Sequence, residues 1–227
     1  MEKIFLIGDN ELLMSELSEM IKSQYDISDE LDDSVDFIFE LTNFNKEIKF
    51  NILNFIDEKN SKGVIISASL CISALEQAVN SKYPERIVGA SLYPTFTRVK
   101  GIELSKTSFT SEKNFDKAKR LFENLNKKVY EVKDRPGMIS MRIISMIINE
   151  AYLVLQEGTS NEDDIDTAMK LGTNYPYGPI EWSKKIGAEL IYNILKSMLD
   201  QYGDDRYRIT TLLKEKYLEE MKINSSD

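Results

Sequence analysis

The chain has 227 residues, of which 42% are hydrophobic and 30% are charged, so it can bury a core in one large domain or two small ones. Its 29 basic and 38 acidic residues give a net charge of −9, which repels phosphate backbones, and we expect no nucleic-acid partner. The chain contains no histidine. This excludes a histidine general base, a histidine zinc ligand and a Ser-His-Asp triad, and we predict no metal site.

Three further features bear on the compartment of the protein. The apolar run at residues 4–8 is too short for a signal peptide. No stretch approaches the roughly 18–20 apolar residues of a membrane span. The single cysteine, Cys71, excludes an internal disulfide and indicates a reducing compartment. We therefore expect a cytoplasmic protein without a membrane partner.

Residues 1–134 alternate short apolar runs with amphipathic stretches, which is typical of βαβ units in a mostly parallel sheet. We predict strands at residues 4–7, 35–39, 64–66, 87–90 and 128–132, and helices at residues 10–22, 46–58, 75–79 and 114–125. In the second of these helices, the apolar spacing predicts that the inward residues are Ile48, Ile52, Phe55 and Ile56. The acidic residues 24–34 are too few for another crossover helix, so the sheet is expected to be shortened.

The periodicity is helical throughout after Arg135, and this change predicts two domains, at residues 1–134 and 135–227. Residues 138–156 are apolar around most of the helix circumference, which is typical of a bundle or a subunit interface. Further helices are predicted after Gly158, at residues 181–201 and at residues 210–221, and the polar tail from Ile223 is expected to be frayed. The predicted fold class is α/β, a shortened and mostly parallel sheet followed by an all-helical C-terminal domain.

Several short motifs in the C-terminal part resemble a known family. In chain order they are KDRPG at 133–137, NEA at 149–151, EG at 157–158, EDDIDTAMKLG at 162–172, YPYGP at 175–179 and GDDRYR at 203–208. Together they resemble the C-terminal domain of the 3-hydroxyacyl-CoA dehydrogenase family. More faintly, residues 36–40, 84–89 and 100–103 resemble its NAD-binding domain. The resemblance implies a Rossmann-like first domain, NAD and a short acyl-CoA as ancestral ligands, and homodimer contacts through the helical domain.

Residues 7–13 lie where the family has its dinucleotide fingerprint, G-x-G-x-x-G, whose glycines let the backbone approach the pyrophosphate. Only Gly8 matches, while Asn10 and Leu13 occupy the other two glycine positions. The side chain of Asn10 and the charges of Asp9 and Glu11 would oppose a pyrophosphate. We therefore favour an ordinary strand-to-helix turn, and we expect NAD binding to be weak or lost.

A second candidate cofactor residue is Lys49, which matches a family lysine near the nicotinamide ribose. Phe44 stands where the family has a glutamate partner. We interpret Lys49 on its own as a solvated helix charge. Asp26 and Asp29 lie near the distance expected for a ribose-binding acid, but no strand of normal length delivers them.

The catalytic positions depart furthest from the family. There, a histidine paired with a glutamate removes the hydroxyl proton while hydride passes to NAD. By family position the candidate catalytic residues here are Ser91, in place of the histidine, and Glu103, the retained glutamate. A serine is no base at neutral pH, so an acid–base contribution on the order of 10² to 10⁴ in rate should be lost. Met141 replaces the substrate-orienting asparagine, and Ala68 and Leu70 replace two polar residues of the substrate segment.

Other residues offer substitute chemistry. Tyr93 and Lys100 could form a tyrosine–lysine acid–base pair, but we favour a packed Tyr93 and a solvated Lys100. Cys71 has no evident group to activate it as a nucleophile. The methionines are expected to fill gaps in the core or at an interface rather than to bind a metal: Met138, Met141 and Met146.

Two hypotheses follow from these substitutions. In the first, the protein is a degenerate, non-catalytic family member that binds an acyl-CoA-type small molecule or acts as a dimeric interaction protein. In the second, it remains an NAD-dependent dehydrogenase of 3-hydroxyacyl-CoA (3-hydroxybutyryl-CoA) with displaced acid–base residues. The missing histidine and glycines favour the first.

Overall fold

A computed structural model describes residues 1–224. It confirms the predicted fold class, a shortened Rossmann-like sheet domain followed by a helical domain. By their internal contacts, Met1–Met138 form one compact unit and a second unit begins at Ile139. The strands are β1 (Lys3–Ile7), β2 (Asp26–Ile27), β3 (Phe37–Glu40), β4 (Val64–Ala68), β5 (Ile87–Ala90), β6 (Gly101–Ser105) and β7 (Lys128–Val132). The helices of this sheet unit are α1 (Glu11–Ile21), α2 (Lys46–Lys59), α3 (Ala74–Ala78) and α4 (Glu112–Asn124).

Within the described residues, the seven strands form one sheet in the order β2-β1-β3-β4-β5-β6-β7, and every neighbouring pair is parallel except β5 and β6. Strands β2 and β3 lie on opposite sides of β1, so the chain reverses its direction of progress across the sheet at this point. No helix joins β2 to β3, which confirms that residues 24–34 hold no second crossover helix. In open α/β sheets, ligands bind outside the carboxyl ends of the strands at such a switch point.

Helix α2 packs on the sheet through a face that is rotated from the predicted one. Its buried residues are Lys49, Leu53, Ile56 and Asp57. Ile56 is buried and Ile52 packs against the core, as predicted. Ile48 and Phe55 were predicted to face inward, but they are 38% and 39% exposed. Leu53 and Ile56 join the apolar core cluster beside Ile38 and Ile65 of neighbouring strands. This rotation turns Lys49 toward the sheet, so its interpretation as a solvated charge is wrong.

The helical unit comprises α5 (Ser140–Gln156), α6 (Glu162–Thr173), α7 (Pro179–Ile186), α8 (Ala188–Tyr202) and α9 (Thr211–Asn224). The single helix predicted at residues 181–201 is wrong, because Gly187 takes a φ of 98° between α7 and α8. Glu220 on α9 caps α8 at this corner by accepting the backbone N–H groups of Ala188 at 3.0 Å and Glu189 at 2.9 Å. Helix α9 includes Ile223, and the fraying expected beyond Asn224 falls outside the described residues.

Several of the motif residues in this unit hold helices together. The Asp166 carboxylate accepts the N–H groups of Ile180 at 2.8 Å and Glu181 at 2.9 Å, and so caps α7. A Cβ on Gly178 would lie 2.3 Å from the Asp166 side chain, so only glycine fits there. Asn149 donates to the carbonyl of Arg208 and accepts from the N–H of Thr210, both at 3.0 Å. No helix among residues 1–224 combines the length and apolarity needed to cross a bilayer.

Candidate functional site

The candidate site lies at the carboxyl ends of β1, β3, β4 and β5, beside the switch point of the sheet. A buried polar cluster stands at its centre, where the Lys49 ammonium donates to Glu40 and, at 2.9 Å, to the Ser67 hydroxyl. Ser67 in turn donates to Glu40 Oε2 at 2.6 Å, and Glu40 Oε1 accepts the N–H of Thr42 at 2.9 Å. Glu40, Lys49 and Ser67 are all 0% exposed. We call these three residues the Glu40 cluster.

Burial and charge act in opposite directions on Lys49. Loss of water lowers the pKa of its ammonium group, while the neighbouring Glu40 carboxylate raises it, and the effect of burial is the larger. A buried charge of this kind is tolerated when it is paired and hydrogen-bonded. The Lys49 ammonium donates to Glu40 and Ser67, and its side chain is 0% exposed. The predicted cofactor residue therefore lies beside the carboxyl ends of β3 and β4, but inside the protein.

The turn between β1 and α1 is closed by its own side chains. Asn10 is the N-cap of α1, and its Oδ1 accepts the backbone N–H of Leu13 at 2.9 Å. The Leu13 side chain is fully buried. A Cβ on Gly8 would lie 2.9 Å from the backbone of Leu41, so Gly8 serves the close approach of β1 to β3. This is the arrangement of an ordinary strand-to-helix turn.

The electrostatics of the same turn are unfavourable for an anion. Burial raises the pKa of the Asp9 carboxyl, and the nearby Glu40 carboxylate raises it further. Glu11 adds an exposed carboxylate in the first turn of α1. Pyrophosphate binding at such a turn needs free N–H groups and an approachable backbone. Asn10 occupies one of these N–H groups, so the residues present do not fit the pyrophosphate of NAD at this turn.

The two candidate catalytic residues are brought together. Ser91 directly follows β5, and Glu103 lies on the antiparallel strand β6. The N–H of Ser91 donates to the carbonyl of Glu103 at 3.0 Å, and the N–H of Glu103 donates to Ser91 Oγ at 3.2 Å. Both residues are buried, with exposures of 3% and 8%. The two residues are thus neighbours, as predicted, and the Ser91 hydroxyl oxygen accepts a hydrogen bond from the Glu103 backbone N–H.

The substitute residues are placed as follows. Tyr93 is buried and packs edge-on against Phe96, with ring centroids 6.5 Å apart, whereas Lys100 is exposed. Cys71 is half-buried and lies close enough to Lys49 for the two side chains to interact electrostatically. Met138 and Met141 are buried. Among residues 1–224, no three acidic or cysteine side chains converge as a metal site would require.

Sequence reasoning missed the residues that fix the loop after β5, residues 92–99. Glu16 on α1 accepts the N–H of Thr95 at 2.8 Å, where Thr95 takes an uncommon φ of 80°. Asn43 donates to the carbonyl of Leu92 at 3.0 Å. The buried Lys127 donates to three carbonyl groups of this loop: those of Phe96, Thr97 and Val99. Burial lowers the pKa of the Lys127 ammonium group. Nothing in the local sequence pattern predicts these contacts.

Comparisons with known proteins agree with this architecture. The family model of the 3-hydroxyacyl-CoA dehydrogenase NAD-binding domain matches residues 9–135, and that of the C-terminal domain matches residues 137–224. The fold resembles the crystal structure of (S)-3-hydroxybutyryl-CoA dehydrogenase PaaH1 from Ralstonia eutropha. The TM-score is 0.77 at 23% identity, covering 94% of this chain and 92% of that one.

Two curated relatives illustrate the likeness in sequence. The chain is 43% identical over 109 residues to 3-hydroxyadipyl-CoA dehydrogenase of Escherichia coli (strain K12), covering 48% of this chain and 23% of that protein. It is 29% identical over 180 residues to 3-hydroxybutyryl-CoA dehydrogenase of Clostridioides difficile, covering 79% of this chain and 64% of that protein. The match thus spans less than two thirds of either relative's length. Because one family model matches more than half of the chain, the chain belongs to the 3-hydroxyacyl-CoA dehydrogenase family.

Proposed function

We propose that this protein is a non-catalytic member of its family, which binds an acyl-CoA-type small molecule and acts as a homodimer. The observation that carries the proposal is the pair Ser91 and Glu103, in which the position of the family's histidine base holds a serine. No histidine elsewhere in the chain can replace it. With no general base at this position, the proton of a 3-hydroxyl group has no acceptor in the reaction, and about 10² to 10⁴ in rate is forfeited.

The cofactor half of the proposal rests on the closed turn before α1. Hydride transfer requires a nicotinamide held within about 3–3.5 Å of the reacting carbon. Asn10 caps the helix that would receive the pyrophosphate, and Lys49 is engaged by Glu40 and Ser67. Both the positioning of a cofactor and the proton transfer are therefore impaired, independently of each other.

The homodimer is proposed from apolar surface on the helical unit. Ile139 and Ile143 at the start of α5 are more than half exposed, and Leu171 on α6 is 83% exposed. An apolar groove of about 310 Å³ lies between α5 and α6; its lining includes Ile147, Ala151, Val154, Ile165, Met169 and Pro179. Exposed apolar surface of this kind marks an interaction site more often than a solvated face. Sedimentation at micromolar concentration should give the mass of a dimer, and a concentration-independent monomer would contradict this part.

The second candidate, an NAD-dependent 3-hydroxyacyl-CoA dehydrogenase with displaced acid–base residues, is favoured by one observation. Glu103 is retained beside the catalytic position, where it could orient a proton-transferring group. Tyr93, two residues after Ser91, carries a hydroxyl group that could transfer a proton, although its ring is packed against Phe96. The relatives named above carry dehydrogenase names, and this candidate carries their activity over to the present chain.

One titration separates the two candidates. The purified chain is titrated with acetoacetyl-CoA by calorimetry, and the absorbance of NADH is then followed with both ligands present. We expect heat from acetoacetyl-CoA binding and no consumption of NADH. Steady consumption of NADH would favour the second candidate, and absence of acetoacetyl-CoA binding would leave only the dimeric interaction role. We further propose a cytoplasmic location, because the single cysteine fits a reducing compartment.

A further inference from the structure

We infer that Asn10 is a specificity-determining residue that closes the anion site at the start of α1, and that this closure excludes dinucleotides. The inference rests on the proposed function, because it names the ligand class that the altered site rejects. The start of a helix after a parallel strand is the usual place for a phosphate group, since the first N–H groups point outward and the helix dipole favours a negative charge.

The first step of the argument is geometric. The Asn10 backbone is extended, with a φ of −112° and a ψ of 91°, and its carboxamide oxygen receives the Leu13 N–H at 2.9 Å. A phosphate oxygen at this helix start would have to compete with the Asn10 side chain for that N–H group. The side chain therefore supplies, from within the protein, the partial negative charge that a ligand would otherwise bring.

The second step concerns the surroundings of the turn. The Asp9 carboxyl follows Gly8 directly and is close enough to Glu40 for that carboxylate to raise its pKa. The nearest buried cation, Lys49, is already neutralised by Glu40. An incoming pyrophosphate would thus lose an N–H donor to Asn10 and would meet acidic groups without a free cation. Of these obstacles, the Asn10 cap is the one that a single substitution removes without disturbing the core.

The third step is that removal should be tolerated. Replacing an asparagine N-cap by glycine is well tolerated, since glycine is itself a common residue at that position. Glycine also stands at this position in the dinucleotide fingerprint. The chain offers a matched control in Asn45, which caps α2 in the same way by accepting the Ile48 N–H at 3.1 Å. Asn45 follows β3 and lies outside the fingerprint turn.

The test measures binding of NADH by fluorescence and of inorganic pyrophosphate by calorimetry, in the full chain and in three variants. Asn10→Gly should bind both probes about fivefold more tightly than the unaltered chain. The Leu13 N–H group then becomes available to the probe at the positive end of the helix dipole. Asn10→Asp keeps the cap but adds a charge, so it should bind no more tightly than the unaltered chain. Asn45→Gly should match the unaltered chain.

Three results would overturn the inference. The first is NADH binding that does not change between Asn10→Gly and the unaltered chain. The second is an equal gain in Asn45→Gly, which would mean that any uncapped helix attracts the probes. The third is tighter binding in Asn10→Asp than in the unaltered chain. Because Asn10→Asp keeps the helix cap, a folding defect could not explain that result. A different measurement would contradict the proposed function, namely consumption of NADH in the presence of acetoacetyl-CoA. The two failures are therefore distinguishable.

Discussion

The two units of this protein resemble the same family, but their polar residues serve different ends. In the helical unit, Asp166 caps α7 and Asn149 joins α5 to the segment before α9, so these motif residues hold helices in place. In the sheet unit, the polar residues beside the switch point bind one another and the backbone. Ser91 receives a backbone N–H, and Lys49 is paired inside the core.

This difference teaches how far a family resemblance reaches. Motifs such as EDDIDTAMKLG and YPYGP are strong markers of the fold because the helical unit packs through them. They do not indicate catalysis, since the hydrogen bonds of Asp166 in these motifs join one helix of the unit to another. Function on a shared fold is decided by the site. The following predictions test whether the polar residues of each unit have the roles assigned here.

The largest expected effect is in the sheet unit. Lys49→Met removes the cation of the Glu40 cluster and leaves Glu40 as a buried charge without a counterion. Breaking one partner of a buried pair costs about 3–5 kcal/mol in the free energy of unfolding, which urea denaturation measures. Lys46→Met is a matched control on the same helix, because Lys46 and Glu76 form an exposed pair at 2.5 Å. Such exposed pairs contribute about 0–1 kcal/mol. Equal losses in the two variants would contradict the assigned role of Lys49.

A smaller effect is expected in the helical unit. Gly178→Ala places a Cβ 2.3 Å from the Asp166 side chain that caps α7. Overpacking of this kind costs about 1–3 kcal/mol. Gly172→Ala is the control, since no atom lies within 4 Å of its Cβ and it stands within α6. That change should be neutral or should stabilise the chain by up to about 1 kcal/mol. Thermal unfolding that ranks the two variants in the opposite order would refute the packing argument.

A third prediction concerns two carboxyl groups of the sheet unit with opposite pKa directions. Asp134 accepts the N–H groups of Ala74 and Leu75, yet burial dominates and raises its pKa above 3.8. Its contribution to stability is fully present below 3.8 and is lost as the pH rises through the raised pKa. Asp33 is exposed, and hydrogen bonds from Ser61 lower its pKa below 3.8.

The contribution of Asp33 is present above 3.8 and is lost as the pH falls through its lowered pKa. An NMR titration of the side-chain carboxyl carbons should therefore place the midpoint of Asp134 above, and that of Asp33 below, this reference value. The stability difference between the unaltered chain and Asp134→Asn should fall with rising pH, while that for Asp33→Asn should rise. Midpoints in the reverse order would show that burial does not govern Asp134.

The smallest expected effect is no effect at all. Ser91→His would place an imidazole beside Glu103, where it could serve as a base. The proposed function includes a turn before α1 that does not position NADH, so Ser91→His should consume NADH with acetoacetyl-CoA no faster than Ser91→Ala. Robust consumption by Ser91→His would mean that the cofactor site is intact, and the non-catalytic proposal would then be wrong.

The sequence predicts most of the fold, because strands and helices of this chain follow their apolar periodicity. It fails in part at α2, where Ile52 and Ile56 face the core as predicted but Ile48 and Phe55 are exposed and Lys49 is buried. Burying Lys49 is unfavourable unless it is paired. Its partners Glu40 and Ser67 become neighbours only through the register of β3 and β4, where they lie directly opposite each other. No local pattern carries that register.

The candidate site shows the same division. The pairing of Ser91 with Glu103 is implied by the family resemblance, and the structure places the two residues side by side. The strand β6 that carries Glu103 is not predicted from the sequence. The roles of Glu16 and Lys127 do not follow from it either, because each reaches a loop far away in the chain. At the α7–α8 corner, Gly187 interrupts an apolar helical repeat. Glycine often marks the end of a helix, but the repeat on both sides of it predicts a single helix.

The Glu220 cap has a consequence for how the protein is made. The N–H groups of Ala188 and Glu189 find their acceptor 32 and 31 residues later in the chain. During translation, the corner between α7 and α8 therefore stays uncapped until residue 220 has been synthesised. A chain that stops before residue 220 lacks the acceptor for both N–H groups, so the α7–α8 corner is closed by a long-range contact and not by its local sequence.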